Sequence, residues 1–167
     1  DTGVIQTFRD IQRADQFSDR GVNEIVVLGD SLFIATAFGV VVFDPSRNEV
    51  IDSYSRLGSL PPASEVRDIH IESSVAGTPT IWAATESGVA WAPLHGVNLQ
   101  DPSSWEIEDA GFSEASLSIL SLESLEGVLY AGTDQDLFIR DATGRYDRSN
   151  LTSRRVPSLS ADDSKVI

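Results

Sequence analysis

"LFIATAFGVVVFD", residues 32–44, consists of two short apolar runs on either side of a turn that contains glycine. The same pattern returns as "IWAATESGVAWAP" at 81–93 and as "LYAGTDQDLFIRD" at 129–141. In every copy the second position is aromatic, the fourth is small and the fifth is threonine. Copies that start about 50 residues apart indicate a repeated structural unit.

Each copy has the composition of a β-hairpin. Its two halves are rich in aromatic and β-branched residues, which favour strands. Gly39 and Gly88 occupy the turn, where glycine takes a positive φ at little cost. The third copy has Asp136 there, one of the few other residue types tolerated in that conformation. The small fourth residue predicts a crowded contact between packed sheets.

One further strand precedes each hairpin and another follows it. The preceding segments are "VNEIVVL" (22–28), "VRDIHIE" (66–72) and "LSILSLE" (117–123). The following segments are "EVIDSYS" (49–55), "SWEIEDA" (104–110) and "GRYDRSN" (144–150). Four short strands per unit with turn signals between them are typical of a propeller blade. We therefore predict an all-β fold, a β-propeller fragment of four-stranded antiparallel blades with the first strands innermost.

The predicted domain is a single partial propeller over 1–167, with blades near 22–55, 66–110 and 117–150. Residues 151–167 are predicted to start a fourth blade, since "VPSLSAD" (156–162) repeats the pattern of the first strands. "VIQTFRD" (4–10) resembles the last strand of a preceding unit. Because propellers have about four to eight blades, we expect a piece of a larger ring that self-associates when isolated. The alternative is a small β domain that ends here.

The repeat resembles the blades of two-component-regulator propellers, in which a Leu-Trp-Ile-Gly-Thr-x-x-Gly-Leu-like core recurs. It is also similar to the N-terminal propellers of PorZ-like secreted proteins. "GSLPPASEVRDIHI" (58–71) resembles the Gly-Leu-Pro linker that leads into each blade of that group. "TDQDL" departs from the pattern by lacking glycine, and "IWAAT" has alanine where glycine is usual. The resemblance implies a sensing or binding role outside the cytoplasm.

The charge of the chain excludes some partners. It has 26 acidic and 12 basic residues and a net charge of −14. A nucleic-acid surface needs a basic stripe, and anionic membranes repel an acidic chain, so we expect no nucleic-acid partner. No apolar run has transmembrane length, so we expect no direct insertion into a membrane. Cysteine is absent, which removes thiolate metal sites, and we predict no cofactor.

No pattern of residues indicates catalysis. His70 lies opposite Ile69 and Ile71 in its strand, at a position matched by Val26 and Ser121, and we interpret it as structural. Asp134 and Asp136 lack the third oxygen ligand and the glycine of a calcium loop, so the sequence predicts no metal site. Glu106 and Glu108 share one face of a strand, as a glycosidase pair could, but this is more typical of a solvated face.

The aromatic residues divide into two groups. Trp82 and Tyr130 occupy repeat positions and are predicted to be core. Trp91 and Trp105 are less fixed by the repeat and are predicted to be more open.

We predict a ligand site at the mouth of the central channel. In such a blade the first strand begins on the face that carries the second-to-third-strand turn, and scaffold loops carry function. These positions vary between units whereas the core positions do not. The candidates at the starts of first strands are Asn23, Glu24, Arg67, Asp68 and Ser118, and those on loops are Arg56, Glu86, Asp134, Arg154 and Arg155.

Two functions remain open, and a third, a pure scaffold in a surface or secretion assembly, is not distinguished from the first by the sequence. The first is a non-enzymatic ligand-binding or sensing module of a larger extracytoplasmic protein, whether periplasmic, surface-attached or secreted. Its partners would be the remaining blades and a polar ligand such as a glycan or peptide, or a protein, because arginines and carboxylates mix at the predicted site. The alternative is part of a propeller enzyme that acts on polysaccharides, a hydrolase or lyase with its catalytic residues in missing blades.

Overall fold

The computed structural model describes residues 19, 21–72, 77–113, 118–150, 154–162 and 165–166. It contains three four-stranded antiparallel sheets, each with its strands in chain order. Sheet 1 consists of β1 (Val22–Leu28), β2 (Ser31–Thr36), β3 (Gly39–Asp44) and β4 (Glu49–Tyr54). Sheet 2 consists of β5 (Val66–Glu72), β6 (Thr80–Thr85), β7 (Gly88–Pro93) and β8 (Glu106–Glu108). Sheet 3 consists of β9 (Ile119–Leu125), β10 (Val128–Thr133), β11 (Leu137–Arg140) and β12 (Tyr146–Arg148).

The sheets pack side by side through their first strands. β5 contacts β1 on one side and β9 on the other, and one apolar core fills the space between sheets 1 and 2 and a second the space between sheets 2 and 3. This confirms the predicted all-β architecture with first strands innermost.

A buried threonine closes the central hairpin of every sheet. Thr36, Thr85 and Thr133 are fully buried. Each hydroxyl accepts the backbone N–H two residues later and donates to the carbonyl oxygen three residues later. The donated bonds run from Thr36 to Gly39 (2.9 Å), from Thr85 to Gly88 (2.8 Å) and from Thr133 to Asp136 (3.0 Å). The repeated threonine is therefore a turn-closing residue.

The turn glycines are required by positive φ and by the close approach of the fourth strand. Gly39 has φ 128° and Gly88 has φ 119°, and a Cβ at Gly88 would lie 2.7 Å from the carbonyl oxygen of Glu108. The expectation that Asp136 adopts a positive φ in the third copy is wrong. Its N–H instead donates to Thr133 Oγ1 (3.0 Å), and its buried carboxylate accepts from Arg148 (2.8 Å).

The small fourth residue of the repeat lies in the predicted crowded contact. Ala35 and Ala84 are fully buried. A Cβ on Gly132 would collide with the side chain of Ser121 and with the carbonyl oxygen of Val156.

The aromatic residues differ from the prediction at two positions, Tyr130 and Trp105. Trp82 is buried (6% exposed), as expected of a core residue, whereas Tyr130 is only partly buried. Trp105, predicted to be open, is 3% exposed. Its Nε1 donates to the carbonyl oxygen of Leu99 (3.0 Å), which satisfies the only polar atom of the indole and allows full burial. Trp91 is half-buried against Trp82, with ring centroids 5.4 Å apart.

The first strand of sheet 3 begins two residues later than predicted. Val22 pairs with Thr36 and Val66 with Thr85, and the residue paired with Thr133 is Ile119. The expected strand at 117–123 is therefore β9, at Ile119–Leu125. A two-residue slip leaves every side chain on the same face of the sheet, so the apolar pattern could not distinguish the two registers.

This register changes which residues correspond between the sheets. The position of Asp68 is occupied by Glu24 in sheet 1 and by Ser121 in sheet 3. The position of His70 is occupied by Val26 and by Glu123, so the earlier match of His70 with Ser121 is wrong.

The segment after sheet 3 forms less strand than predicted. Within 156–162 only Ala161–Asp162 (β13) is paired, in a two-stranded hairpin with Lys165–Val166 (β14). Val156 instead binds the end of sheet 3, where its N–H donates to the carbonyl oxygen of Thr133 (2.8 Å) and its carbonyl accepts from Ser121 Oγ (3.2 Å). The predicted strand at 4–10 lies outside the described residues.

Replacing Thr85 by valine keeps the buried volume and removes the hydroxyl. We expect a loss of about 1–3 kcal/mol in the free energy of unfolding, because the Ser87 N–H loses a buried partner. Amide hydrogen exchange at Ser87 should accelerate in Thr85→Val and remain slow in Thr85→Ser, which keeps the hydroxyl and loses a methyl. Equal exchange in the two variants would contradict the assigned role.

Candidate functional site

The three innermost strands line a cavity of ≈ 420 Å³. Its walls come from β1, β5, β9 and Pro157–Leu159. The polar side chains that line it are those of Asn23, Glu24, Arg67, Asp68, His70, Ser121, Ser158 and Glu123.

A second cavity of ≈ 560 Å³ shares Asn23 and Arg67 with the first and adds Glu65, Asp134 and Arg155. The structure thus brings together many of the predicted site residues. Asn23, Glu24, Arg67, Asp68, Asp134 and Arg155 line one or both cavities, and Ser118 is hydrogen-bonded to Arg67 beside them. Arg56, Glu86 and Arg154 are exposed and line neither cavity.

A β-bulge recurs at the start of each innermost strand. The pairing skips Asn23 in β1, Arg67 in β5 and Leu120 in β9. A bulge bends the strand and re-aims the neighbouring side chains. Because all three sheets have it at the same place, the bulge belongs to the fold and turns successive residues toward the cavity or the neighbouring sheet.

Several predicted ligand residues are occupied in joining one sheet to the next. The Asn23 amide donates to the carbonyl oxygen of Val66 (2.7 Å). The Arg67 guanidinium donates to the Ser118 hydroxyl and to Glu65 (3.1 Å). Variation between units therefore has a structural cause as well, since each residue matches a different neighbour.

Glu24 differs from these residues. It is exposed and lines the first cavity, and its side chain makes no hydrogen bond or ion pair within the part of the chain that the structure describes.

Asp68 connects β5 to β9 and has a raised pKa. Its carboxylate accepts the N–H of Leu122 on β9 (2.7 Å). Burial raises the pKa of Asp68 to about 6, the backbone N–H groups of Leu122 and Ile69 oppose that rise, and the carboxylates of Glu24 and Glu123 add to it. The protonated form is thus favoured by folding, so its stabilisation is fully present below about pH 4 and is lost as the pH rises through about 6.

Asp68→Asn should stabilise the protein at neutral pH, because the amide oxygen can still accept the Leu122 N–H without a buried charge. The shift of about two pKa units corresponds to a gain on the order of 2–3 kcal/mol in the free energy of unfolding. Urea unfolding at a series of pH values would show the gain shrinking as the pH falls toward about 4. The matched control is Asp30→Asn at an exposed turn. A gain at Asp68 that is independent of pH would contradict the assigned charge state.

His70 joins β5 to β9 at the wall of the first cavity. Its Nε2 lies 2.9 Å from Ser124 Oγ and its Nδ1 lies 3.3 Å from Glu123 Oε1. The order carboxylate, imidazole, hydroxyl is that of a nucleophilic triad. However, Ser124 lines neither cavity, and Glu123 Oε1 also accepts the Ser124 N–H (2.9 Å). In this geometry the three side chains connect sheet 2 to sheet 3.

Asp134, Asp136 and Glu108, three of the four carboxylates considered as metal ligands or catalytic groups, are paired with arginines. Asp134 pairs with Arg155 (3.0 Å). Glu108 does not lie on a solvated face as expected: its carboxylate accepts two hydrogen bonds from Arg140 of sheet 3, at 2.7 and 2.6 Å. This bidentate pair joins the outer parts of sheets 2 and 3, while Glu106 is exposed.

In the residues that the structure describes, no three His, Cys, Asp or Glu side chains are grouped as metal ligands. Within the same residues, no helix has the length and apolar character needed to span a membrane.

The geometry accords with the comparison with protein families. Residues 1–106 match the family model described as "TSS9, PorZ, N-terminal beta-propeller domain". The chain belongs to this family. The resemblance to PorZ-like propellers stated from the repeat is thereby confirmed.

Solved structures share the fold. The extracellular domain of the one-component system BT4673 from B. thetaiotaomicron has a TM-score of 0.63 at 19% identity, over 90% of this chain and 20% of that one. PorZ, a surface component of the type-IX secretion system of Porphyromonas gingivalis, has a TM-score of 0.54 at 14% identity, over 95% of this chain and 24% of that one. The computationally designed protein Ika4 has a TM-score of 0.60 at 12% identity, over 87% and 82% of the two chains.

At these identities the structures show the fold alone. The chain covers only 20% of the BT4673 structure and 24% of the PorZ structure. A search of curated proteins found no significant match.

Proposed function

We propose that the chain is a non-enzymatic ligand-binding module of a larger extracytoplasmic protein. The observation that carries this is the polar cavity between the innermost strands, whose lining differs from sheet to sheet on a repeated scaffold. The location is supported by relatives described as an extracellular domain and as a bacterial surface component. None of the relatives named above is described as an enzyme, and no observation favours a polysaccharide-cleaving activity.

The proposed ligand is polar, such as a glycan or peptide. Glu24 and Glu123 offer carboxylate oxygens to the first cavity, whereas Arg67 is already held by Glu65 and Ser118. Glu123 Oε1 already faces His70 and the Ser124 N–H, so Glu24 is the main acceptor offered to a ligand that brings its own donors, as sugar hydroxyls and peptide amides do. In this proposal Glu24 contacts the ligand. The walls of the cavity are stabilised by the hydrogen bonds of Asn23, Arg67, Asp68 and Ser118.

The module belongs, in this proposal, to a longer ring. Sheet 1 exposes large apolar side chains on β1, including Val22 (48%), Ile25 (49%) and Val27 (67%). A contiguous apolar strip of this kind is typically covered by a neighbouring element. Further blades of the same protein, absent from this chain, are the proposed neighbours, so the three sheets form part of one propeller domain and β13–β14 begin the next unit.

The decisive variant is Glu24→Gln, because no side-chain bond of Glu24 joins two sheets among the residues that the structure describes. Arg67→Ala and Asp68→Ala are less informative, since each removes an inter-sheet hydrogen bond. Glu106→Gln on the outer strand β8 is the matched control, with the same change of charge at an exposed position.

We expect the protein to bind some of the compounds on a glycan array or in a short-peptide library. For a retained compound, Glu24→Gln should weaken binding about tenfold, or about 1.4 kcal/mol, in isothermal titration calorimetry, while Glu106→Gln leaves it unchanged. Equal weakening by both variants would refute the site. Cleavage of an array polysaccharide would refute the non-enzymatic assignment.

A further inference from the structure

The side-chain contacts between the first strands of neighbouring sheets, here called joints, differ in polarity. Between sheets 1 and 2, Val26 and Ile71 both pack on the apolar core. Between sheets 2 and 3, the positions that correspond in register to Val26 and Ile71 are His70 and Ser124. The molecule thus contains an apolar and a polar version of the same joint.

The polar joint is half-buried and surrounded by carboxylates. The side chains of His70 and Glu123 are 16% and 23% exposed. Glu123 reaches the imidazole from β9, and Glu72 acts on it from its own strand β5. Asp68 and Glu24 line the same cavity, as does Arg67, whose charge is paired with Glu65. The residues at Pro157–Leu159 bring no charge.

We propose that the His70 joint is a pH-sensitive contact between sheets 2 and 3, closed by the neutral imidazole and loosened by its protonation. We assign the neutral state to the tautomer in which Nδ1–H faces Glu123 Oε1 and Nε2 accepts from the Ser124 hydroxyl. Protonation turns Nε2 into a donor, so the Ser124 hydroxyl must reorient to accept from it, and it places a charge in a half-buried contact.

The direction follows from burial. Burial lowers the pKa of His70 from its ordinary value of 6.5, and the carboxylates of Glu123 and Glu72 limit the decrease. A histidine with a lowered folded-state pKa contributes stability that is present above pH 6.5 and is lost as the pH falls through the folded pKa. Asp68 acts in the opposite direction with its pKa of about 6, so the two effects partly cancel in the wild type. The proposal concerns the joint itself and does not depend on the proposed ligand.

A histidine titration followed by NMR tests the charge state directly. The chain has two histidines, and His95→Asn identifies the His70 signal. We expect His70 to titrate below 6.5 and Glu123→Gln to lower its pKa further, because the neutral amide no longer favours the imidazolium. Titration at or above 6.5, or no response to Glu123→Gln, would overturn the proposal.

Hydrogen exchange tests the mechanical consequence. In an Asp68→Asn background, which removes the opposing group, protection of 66–72 and 119–125 should fall at least threefold between about pH 7.5 and about pH 5.5, after correction for intrinsic exchange rates. Residues 31–44 of sheet 1 serve as the internal reference.

Adding His70→Val and Ser124→Ile to that background rebuilds the joint with the residue types found between sheets 1 and 2. Protection should then become independent of pH over the same interval. An unchanged fall in this variant would overturn the proposal. If the rebuilt joint does not fold, His70→Asn replaces it with the same expectation.

Discussion

The buried threonine hydroxyl at the end of the second strand of each sheet makes the hydrogen bonds on which the rest of the structure depends. It is fully enclosed, so its two hydrogen bonds face no competition from water, and losing them leaves buried polar groups unpaired. Its bonds place the turn, the turn fixes the pairing of the central hairpin, and that pairing puts the small residue before each threonine beside the first strand. Because this residue is small, the first strands of neighbouring sheets can approach one another and enclose a cavity.

The hairpins could be predicted from the sequence because threonine and the small residue mark an absolute register. The first strand of sheet 3 could not, because its apolar pattern has a period of two and tolerates a slip of two residues. Only the pairing of Ile119 with Thr133 resolves the slip. The same ambiguity matched His70 with Ser121 and hid its true counterpart, Glu123. Asp136 was mispredicted because its side chain found a partner in Arg148, which no local rule reveals.

The position of the candidate site could be predicted from the sequence. Which of its polar side chains are already hydrogen-bonded could not. Strand order alone puts the starts of the first strands around one opening, and many of the predicted residues do line it. Whether their polar atoms are free depends on partners far along the chain, such as Val66 for Asn23 and Leu122 for Asp68. Variation between repeats was interpreted as the mark of an asymmetric binding site. It marks asymmetric contacts between sheets equally well. Glu24 differs because its side chain has no such bond among the described residues.

Glu123 connects the two proposals, since it lines the cavity and also holds the imidazole of His70. A ligand that engages this carboxylate withdraws negative charge from His70 and so makes protonation of the imidazole less favourable. Linkage is reciprocal for binding free energies, so protonation of His70 must weaken the binding of that ligand by the same factor. A ligand confined to Glu24 would leave in place the charges that act on His70, those of Glu123 and Glu72. The pH dependence of binding, compared with that of the joint, therefore distinguishes a ligand that spans the cavity from one that stays at the wall formed by β1.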